Sequence, residues 1–251
     1  WADVARRIAH EIKNPLTPIQ LSAERIKRRF GRKIEDEEDR KVFDQCTDTI
    51  VRQVGDIGRM VDEFSSFARM PKPSKSAGDL RRILSDAVFL LEIGRTDITF
   101  LRELGDAPLE GLFDDRMLGQ AFGNILKNAV EAVESVPVTE FDGERKILVR
   151  ADFDRARDRY VIDFIDNGKG LPVENRHMIL EPYITMREKG TGLGLAIVRK
   201  IIEEHGGKLE LHDAPADFAG GRGAMIRVEL PHVHDGERAR EETDKEEQDG
   251  L

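Results

Sequence analysis

Cysteine is almost absent from this chain, which has one, Cys46, among 251 residues. A disulfide or a cysteine-based zinc site within one chain is therefore excluded, and a reducing cytoplasm suits this composition. The chain also lacks an apolar run of the roughly 20 residues that a membrane-spanning helix needs, and no signal peptide is visible. Nothing in the sequence indicates a nucleic-acid surface.

Charged residues are abundant instead. They make up 35% of the chain beside 39% hydrophobic residues, as in a soluble globular protein with much exposed helix. The net charge of −9 is uneven, because residues 235–251 hold eight acidic and three basic side chains; we predict a disordered acidic tail over 233–251. The helical pattern is already under way at Trp1, so we expect that an upstream portion is missing.

The first thirty residues carry a heptad repeat. Two apolar series, each spaced by seven residues, interlock as the a and d positions of a coiled coil do. One series is Ala5, Ile12, Ile19 and Ile26, and the other is Ala9, Leu16, Ala23 and Phe30. This pattern predicts a helix that ends at Gly31.

His10 follows a core position of this helix and is predicted to point outward. An exposed imidazole on a rigid helix is well placed as a nucleophile for a group that another domain delivers; an ordinary surface histidine is the alternative. Pro15 and Pro18 would leave the carbonyls of Glu11 and Asn14 without partners. They either loosen the helix one turn past His10, where it could bend, or end it, although the heptads continue.

A second heptad pattern predicts a second helix. Its two series are Phe43, Ile50, Ile57 and Phe64, and Thr47, Val54, Val61 and Ala68, with Cys46 among the core-type positions. Two such helices joined by a short turn form an antiparallel hairpin with too little core to stand alone. Pairing two hairpins into a four-helix bundle buries both seams, so residues 1–70 predict a homodimer.

A different pattern follows a predicted linker over residues 71–78, which contains Pro-Lys-Pro-Ser-Lys-Ser. Asp79 is a plausible N-cap for a helix to about residue 91. Further helices are predicted over 115–135 and 192–205, with strands near 98–104, 109–113, 146–153, 160–166, 208–212 and 224–230. This order predicts a two-layer α/β sandwich over residues 79–232, with one mostly antiparallel sheet covered by helices.

Asn124 and Asn128 share one face of the predicted long helix, near Lys127 and Glu131. Two amides on an otherwise apolar helix require a polar neighbour. Amide oxygens suit Mg²⁺, which keeps several waters and binds mainly through phosphates. A buried hydrogen-bonding site explains the pair equally well.

Asp166 ends a predicted strand in the run Asp-Asn-Gly-Lys-Gly and has the same parity as Ile162 and Phe164. Its carboxylate is therefore predicted to face the apolar side, where it needs a donor. The exocyclic amine of adenine would be one, and Gly168 and Gly170 would let the backbone approach the base. Many tight turns have the same pattern.

A second glycine-rich run, Gly190-Thr191-Gly192-Leu193-Gly194, opens a predicted helix. Uncovered N–H groups at a helix N-terminus can hold phosphates, although such a turn can be purely structural. The segment 172–189 has little periodicity, as expected of a mobile lid, and its Arg187 and Lys189 could meet a terminal phosphate. For Gly220–Gly223, a turn is a sufficient explanation.

In order and spacing, these motifs resemble those of the sensor histidine kinases of two-component systems, over nearly the full chain to about Pro231. His10-Glu11-x-x-Asn14-Pro15 resembles the phosphoacceptor box, and Asn124-x-x-x-Asn128-Ala129 resembles the asparagine box. Asp166-x-Gly168-x-Gly170 and the run from Gly190 to Leu195 resemble the two glycine boxes. The amino-acid sequences of these boxes are similar to those of the nitrogen-regulation group of these kinases.

Two positions depart from the family pattern. Tyr183 stands where many relatives carry a lid phenylalanine. Glu131 stands where other kinases carry a basic phosphate contact, a role that would pass to Lys127, Arg187 or Lys189.

The resemblance implies that the second domain binds ATP, with adenine on Asp166, Mg²⁺ on Asn124 and Asn128, and phosphates along Gly190–Gly194. The domain would swing on the linker and present the γ-phosphate to His10.

For the reaction itself, Glu11 would orient the His10 imidazole and accept its proton. The phosphoryl group would pass to an aspartate of a response regulator, and Asn14 would hold the water of a phosphatase reaction. The chain would be the cytoplasmic portion of a protein anchored in the inner membrane by its missing upstream portion.

The sequence leaves two rival functions open. An ATPase of the gyrase or Hsp90 type resembles the second domain but carries a glutamate where Asn124 stands, and asparagine cannot take a proton from water. The other rival is a non-catalytic dimeric scaffold that binds ATP only as a switch. Acid-labile phosphate on His10 would exclude both.

Overall fold

A computed structural model of the chain describes residues 2–68, 70–137, 139, 141, 143–182 and 192–232. The chain divides into two compact units, a hairpin unit that includes residues up to Pro71 and a sheet unit that begins at Lys72. Within the described ranges, no helix combines the length and apolar character that crossing a membrane requires. The predicted tail, 233–251, lies outside the described residues.

The hairpin unit consists of two long helices, α1 (Ala2–Phe30) and α2 (Glu37–Ala68). Helix α1 continues through both prolines, so the interpretation in which it ends there is wrong. Basic residues in the last turn of α1 and acidic residues in the first turn of α2 complement the two helix dipoles.

The two heptad series of each helix have different surroundings in the hairpin. The buried members are Ala9 and Ala23 of α1 and Thr47, Val54 and Val61 of α2. The isoleucines of the other series are 39–46% exposed; they are Ile12, Ile19, Ile26, Ile50 and Ile57. One series thus packs inside the hairpin and the other forms an open apolar face. Cys46, predicted among core-type positions, is exposed, because it precedes the buried Thr47 and points away from the seam.

The sheet unit combines strands and helices. Its elements are β1 (Ser76–Asp79), α3 (Leu80–Glu92), β2 (Ile98–Glu103), β3 (Glu110–Phe113), α4 (Asp115–Glu134), β4 (Arg145–Asp154), β5 (Arg159–Asp166), α5 (Gly194–Glu204), β6 (Lys208–Asp213) and β7 (Ala224–Pro231). Short 3₁₀ helices occupy Arg176–Leu180 and Ala219–Gly221. Five strands form one sheet in the order β2-β4-β5-β7-β6, in which only the β2–β4 pair is parallel.

The core lies between this sheet and its helices. Phe122 of α4 and Phe164 of β5 are buried, with ring centroids 5.5 Å apart. Leu118, Ile125 and Ile162 are also fully covered. The predicted α/β sandwich is therefore confirmed, and the alternation along β5 places Ile162, Phe164 and Asp166 on the helix side.

The predicted linker is too long at its C-terminal end. Ser76–Asp79 forms β1, which pairs with β3 in a separate two-stranded sheet. The N–H of Ser74 also donates to the Asp114 carboxylate, at 2.9 Å. The composition of this segment, rich in serine and lysine, is typical of a linker. It forms a strand because β3, distant in the sequence, pairs with it. Asp79 is the N-cap of α3, as predicted, and accepts from the N–H of Arg81 at 3.0 Å.

The other face of the sheet carries a row of alternating charges, the ion row, defined as Glu103, Arg150, Asp163, Arg227 and Glu210. Each member stands opposite the next in the strand register, so the row crosses all five strands. Arg227 donates to both oxygens of the buried Asp163, at 2.7 and 2.9 Å. Opposite charges on neighbouring strands stabilise the register.

Candidate functional site

His10, Glu11 and Asn14 lie on the exposed surface of α1, while the neighbouring Ala9 is buried in the hairpin. The Glu11 carboxylate accepts a hydrogen bond from Nε of Arg7 at 3.2 Å. Asn14 follows His10 by four residues and therefore shares its face of the helix. The structure thus presents the imidazole as predicted, on a rigid helix and open to solvent.

The α1 backbone beyond His10 is helical although Pro15 and Pro18 supply no N–H. The Thr17 hydroxyl lies 3.5 Å from the Lys13 carbonyl oxygen, as a side chain that bonds back to the preceding turn does. Lys13 also forms an ion pair with Asp62 of α2. These contacts support the helix at the place where the prolines weaken its ladder.

The two asparagines lie at the edge of the buried face of α4. Asn124 and Asn128 are half-buried, whereas the adjacent Ile125 and Leu126 are fully covered and Lys127 is exposed. Both amides therefore reach the border between the core and solvent on consecutive turns. Such a position suits polar groups that bind a ligand at the edge of the α/β core.

Asp166 is buried at the end of β5, as its parity predicts. Its Oδ1 accepts a hydrogen bond from the N–H of Gly168 at 2.9 Å, which holds the carboxylate over the turn. A Cβ at Gly168 would lie 2.7 Å from the carbonyl oxygen of Ala132 in α4. The N–H of Lys169 donates to that same oxygen at 3.3 Å. The turn after β5 therefore rests on α4, one helical turn beyond Asn128.

Asn167 is a site residue that sequence reasoning missed. Its side chain is buried, accepts from the N–H of Lys146 at 2.8 Å and donates to the carbonyl of Glu144 at 2.9 Å. It thereby ties the Asp166 turn to the start of β4. A polar residue directly after a buried strand is the signal that could have indicated this role.

The second glycine-rich run is described only in part. Gly192 has a φ of +70°, which favours glycine, and α5 begins at Gly194, two residues later than predicted. The left-handed residue cannot belong to the helix, so the first turn starts beyond Leu193. Tyr183, Arg187, Lys189, Gly190 and Thr191 lie outside the described residues.

A metal ion at this site would depend on the asparagine oxygens and on phosphates of a ligand. No cluster of three or more histidine, cysteine, aspartate or glutamate side chains suited to a metal occurs in the part of the chain that the structure describes. Two neutral amide oxygens do not hold a divalent cation alone. They fit Mg²⁺, which retains waters and takes phosphate oxygens as ligands.

The N-terminus of α4 is fastened by Asp114 and His205. The Asp114 carboxylate caps the helix through the N–H of Met117 and also accepts from Ser74, both at 2.9 Å. Burial would raise the pKa of Asp114, but these two N–H groups, together with the nearby Arg116, hold it below its usual value.

His205, directly after α5, supports this junction. Its Nε2 accepts from the N–H of Asp114 at 3.2 Å, so its proton is on Nδ1, which donates to the Ile201 carbonyl at 2.8 Å. Burial lowers the pKa of His205. The histidine is therefore a neutral structural residue beneath the helix that carries Asn124 and Asn128.

Comparison with known proteins identifies both units. Residues 1–73 match the His Kinase A (phospho-acceptor) domain. Residues 113–234 match the family described as Histidine kinase-, DNA gyrase B-, and HSP90-like ATPase. The chain belongs to the sensor histidine kinases. The resemblance read from the boxes is thereby confirmed, and the ATP-binding fold of the second unit with it.

Relatives of this histidine kinase include the nitrogen regulation protein NtrY of Azorhizobium caulinodans, with 61% identity over 92% of this chain. The sensory histidine kinase/phosphatase NtrB of Rhodobacter capsulatus is 32% identical over 91%. The chain spans 28% of the length of that NtrY and 61% of that NtrB. A crystal structure of histidine kinase ThkA in complex with the response regulator TrrA has a similar fold, with a TM-score of 0.62 at 23% identity over 92% of this chain and 61% of that one.

Proposed function

We propose that this kinase transfers the γ-phosphoryl group of ATP to His10 and then to an aspartate of a response regulator of the NtrX type. The observation that carries the proposal is the exposed His10 on a phosphoacceptor hairpin, joined in one chain to an ATP-binding sandwich. Phosphoryl transfer needs mainly positioning and charge stabilisation, which two such units supply.

Asp166 would recognise adenine. A carboxylate oxygen has two lone pairs, so one that already accepts from Gly168 can accept the exocyclic amine as well. Because the carboxylate is buried, a base without a matching donor would bind less well than adenine. Gly170 and the Asp166 turn would form the wall that the base approaches.

Phosphates would lie between α4 and the start of α5. Lys127 is exposed and can swing toward them, in place of the basic contact that Glu131 does not supply. Gly190, Thr191, Gly192, Leu193 and Gly194 would offer N–H groups, with Arg187 and Lys189 near the terminal phosphate. Mg²⁺ on Asn128 and Asn124 would neutralise phosphate charge.

At the acceptor, Glu11 would orient the imidazole and take its proton, while Asn14 would hold the water that dephosphorylates a docked regulator. The Arg7–Glu11 pair is exposed on both sides and therefore weak, so Glu11 can exchange Arg7 for His10. The name of the relative NtrB includes a phosphatase activity, which favours this second role.

We further propose that two hairpins dimerise through their open faces, and that this region is the cytoplasmic part of a protein of the inner membrane. A functional dimer is consistent with the exposed isoleucines of the hairpin. The ATPase alternative lacks a base at Asn124, and the scaffold alternative does not require an exposed His10.

The deciding experiment incubates the chain with labelled ATP and Mg²⁺ and tests the acid lability of protein-bound phosphate. The His10→Gln variant should lose all label while its ATP affinity stays unchanged, and His177→Gln, another exposed histidine, is the matched control. Label that survives His10→Gln, or that is stable to acid, contradicts the proposal.

The roles of Glu11 and Asn14 separate in the same system. Asn14→Ala should lose regulator dephosphorylation and keep substantial autophosphorylation, whereas Glu11→Ala should lose the kinase first. The measurement is the decay rate of purified phospho-regulator mixed with each variant. Equal decay with wild type and Asn14→Ala, both faster than the regulator alone, removes Asn14 from the mechanism.

A further inference from the structure

Gly223 precedes β7 at the point where this strand passes the Asp166 turn. Ala224 is the register partner of Asp166. A Cβ at Gly223 would overlap the Asp166 carbonyl oxygen and would lie 2.8 Å from Cα of Asn167. Its φ of +110° also belongs to the region that glycine prefers. Two independent features therefore require glycine here, and the close approach to Asp166 exceeds what a surface turn needs.

The peptide between Asp166 and Asn167 is held on two sides. On the β4 side, the Asn167 side chain bonds the N–H of Lys146 and the carbonyl of Glu144. On the β7 side, the peptide itself contacts Gly223. Because the β4 side is hydrogen-bonded and buried, a bulkier residue at position 223 must move β7 or rotate the Asp166 peptide.

A second contact joins Gly223 to Gly170, the last glycine of the box that begins at Asp166. A Cβ at Gly170 would lie 3.2 Å from the carbonyl oxygen of Gly223. That oxygen already accepts from the N–H of Ala214 at 3.2 Å, which anchors it to the segment after β6. Gly223 is therefore packed against the turn that holds the Asp166 carboxylate, at its start and at its end.

We propose that Gly223 is a positioning residue for recognition of the adenine base, because its bare backbone sets where the Asp166 carboxylate stands. The inference rests on the proposed contact between Asp166 and the exocyclic amine. Hydrogen bonds weaken steeply with misalignment, so a small rotation of the Asp166 peptide is enough to lose that contact. A residue that merely shapes a turn would affect stability without affecting which base is bound.

The test compares the affinities of the whole chain for ATP and for ITP, in which a carbonyl oxygen replaces the exocyclic amine. Wild type should prefer ATP, by about ten- to a hundredfold for a hydrogen bond to a charged group. Gly223→Ala should weaken ATP binding by most of this factor and ITP binding far less, so that the preference collapses.

Gly220→Ala is the matched control. Gly220 also has a positive φ, +67°, at which alanine is disfavoured, but a Cβ there meets nothing within 4 Å. This variant should keep the wild-type ATP preference. Gly170→Ala tests the same packing if Gly223→Ala does not fold, because its Cβ would lie 3.2 Å from the Gly223 carbonyl oxygen. This variant should reduce the preference for ATP.

The outcomes distinguish the two levels of the argument. If wild type prefers ATP and the Gly223→Ala or Gly170→Ala variant keeps the full preference, Gly223 has no positioning role although Asp166 still recognises adenine. If wild type binds ITP and ATP with equal affinity, Asp166 does not recognise adenine, and the inference about Gly223 fails with it.

Discussion

In the hairpin unit the covered side chains are small, with Ala9 and Ala23 almost fully buried, while isoleucines such as Ile19 remain 46% exposed. In the sheet unit the order is reversed, and Phe122 and Phe164 are among the most deeply buried residues. Apolar burial is the main favourable term in folding. The sheet unit obtains it within one chain, whereas the hairpin leaves many large apolar side chains exposed in the single chain.

This difference explains how the heptads are used. Small residues let α1 and α2 approach closely inside one hairpin, and the larger isoleucines form the open face that a four-helix bundle would bury. A groove of about 350 Å³ on this face is lined by Pro18, Ile19, Ser22, Ala23, Ile26 and Ile50. The hairpin is therefore expected to respond to association and the sheet unit to internal packing.

The largest expected effect is on association. Ile57 is 40% exposed in the single chain, and Ile57→Glu would bury one unpaired charge from each subunit in the dimer, at a cost of about 3 kcal/mol or more apiece. Light scattering should show monomer or aggregate. Gln45→Glu, at an exposed position of α2 that does not share a face with Ile50 or Ile57, should leave the dimer intact; an undisturbed dimer in Ile57→Glu would mean that the open face is not the interface.

Next in size is a cavity in the sheet unit. Phe122→Ala removes a fully buried ring and should lower the free energy of unfolding of this unit by about 3–5 kcal/mol. Region-resolved hydrogen exchange should show faster exchange in α4 and β5 and unchanged exchange in the hairpin. Phe89→Ala, at a position that is 57% exposed, should change stability by less than about 0.5 kcal/mol. Equal losses in the two variants would contradict the assigned core.

A smaller contrast exists within the ion row, between a buried and an exposed member. Asp163→Asn leaves the Arg227 guanidinium, which is 34% exposed, without its carboxylate, and should cost about 1–3 kcal/mol. Glu103→Gln breaks an Arg150 pair whose side chains are 39% and 56% exposed, and should cost less than about 1 kcal/mol. Urea denaturation of both variants measures the difference, and a larger loss in Glu103→Gln would refute the ranking.

The smallest expected effect is a pH dependence of the stability of the sheet unit. The pKa of His205 is lowered in the folded state, mainly by burial and also by Lys75, while the hydrogen bond to the Ile201 carbonyl and the charges of Asp114 and Glu204 oppose the shift. The unfolded chain therefore binds a proton that the folded chain does not, so stability should fall as pH decreases below about 6.5. Thermal unfolding between pH 7.5 and 5.5 checks this.

In that experiment, His205→Gln keeps a group that can accept from Asp114 but removes the titration. The variant should be less stable at pH 7.5 and should show a shallower loss on acidification. A slope equal to that of wild type would assign the pH dependence to another group.

The sequence alone determined those features that depend on neighbours along the chain. Heptad spacing predicted both hairpin helices, because a 3.5-residue period places the same residues on one face wherever the helix lies. The same holds for the Asp79 cap, the burial of Asp166 by parity, and the boxes that identify the kinase family.

Tertiary structure decided what depends on segments far apart in the chain. Whether Ala9 or Ile12 faces the inside of the hairpin follows from the rotation of one helix against the other, which periodicity leaves open. Ser76 joins a strand only because β3 lies beside it, and Cys46 is exposed because Thr47 faces α1. The clearest cases are Asn167 and Gly223, whose roles arise from hydrogen bonds and close backbone approach between strands that meet only in the folded sheet.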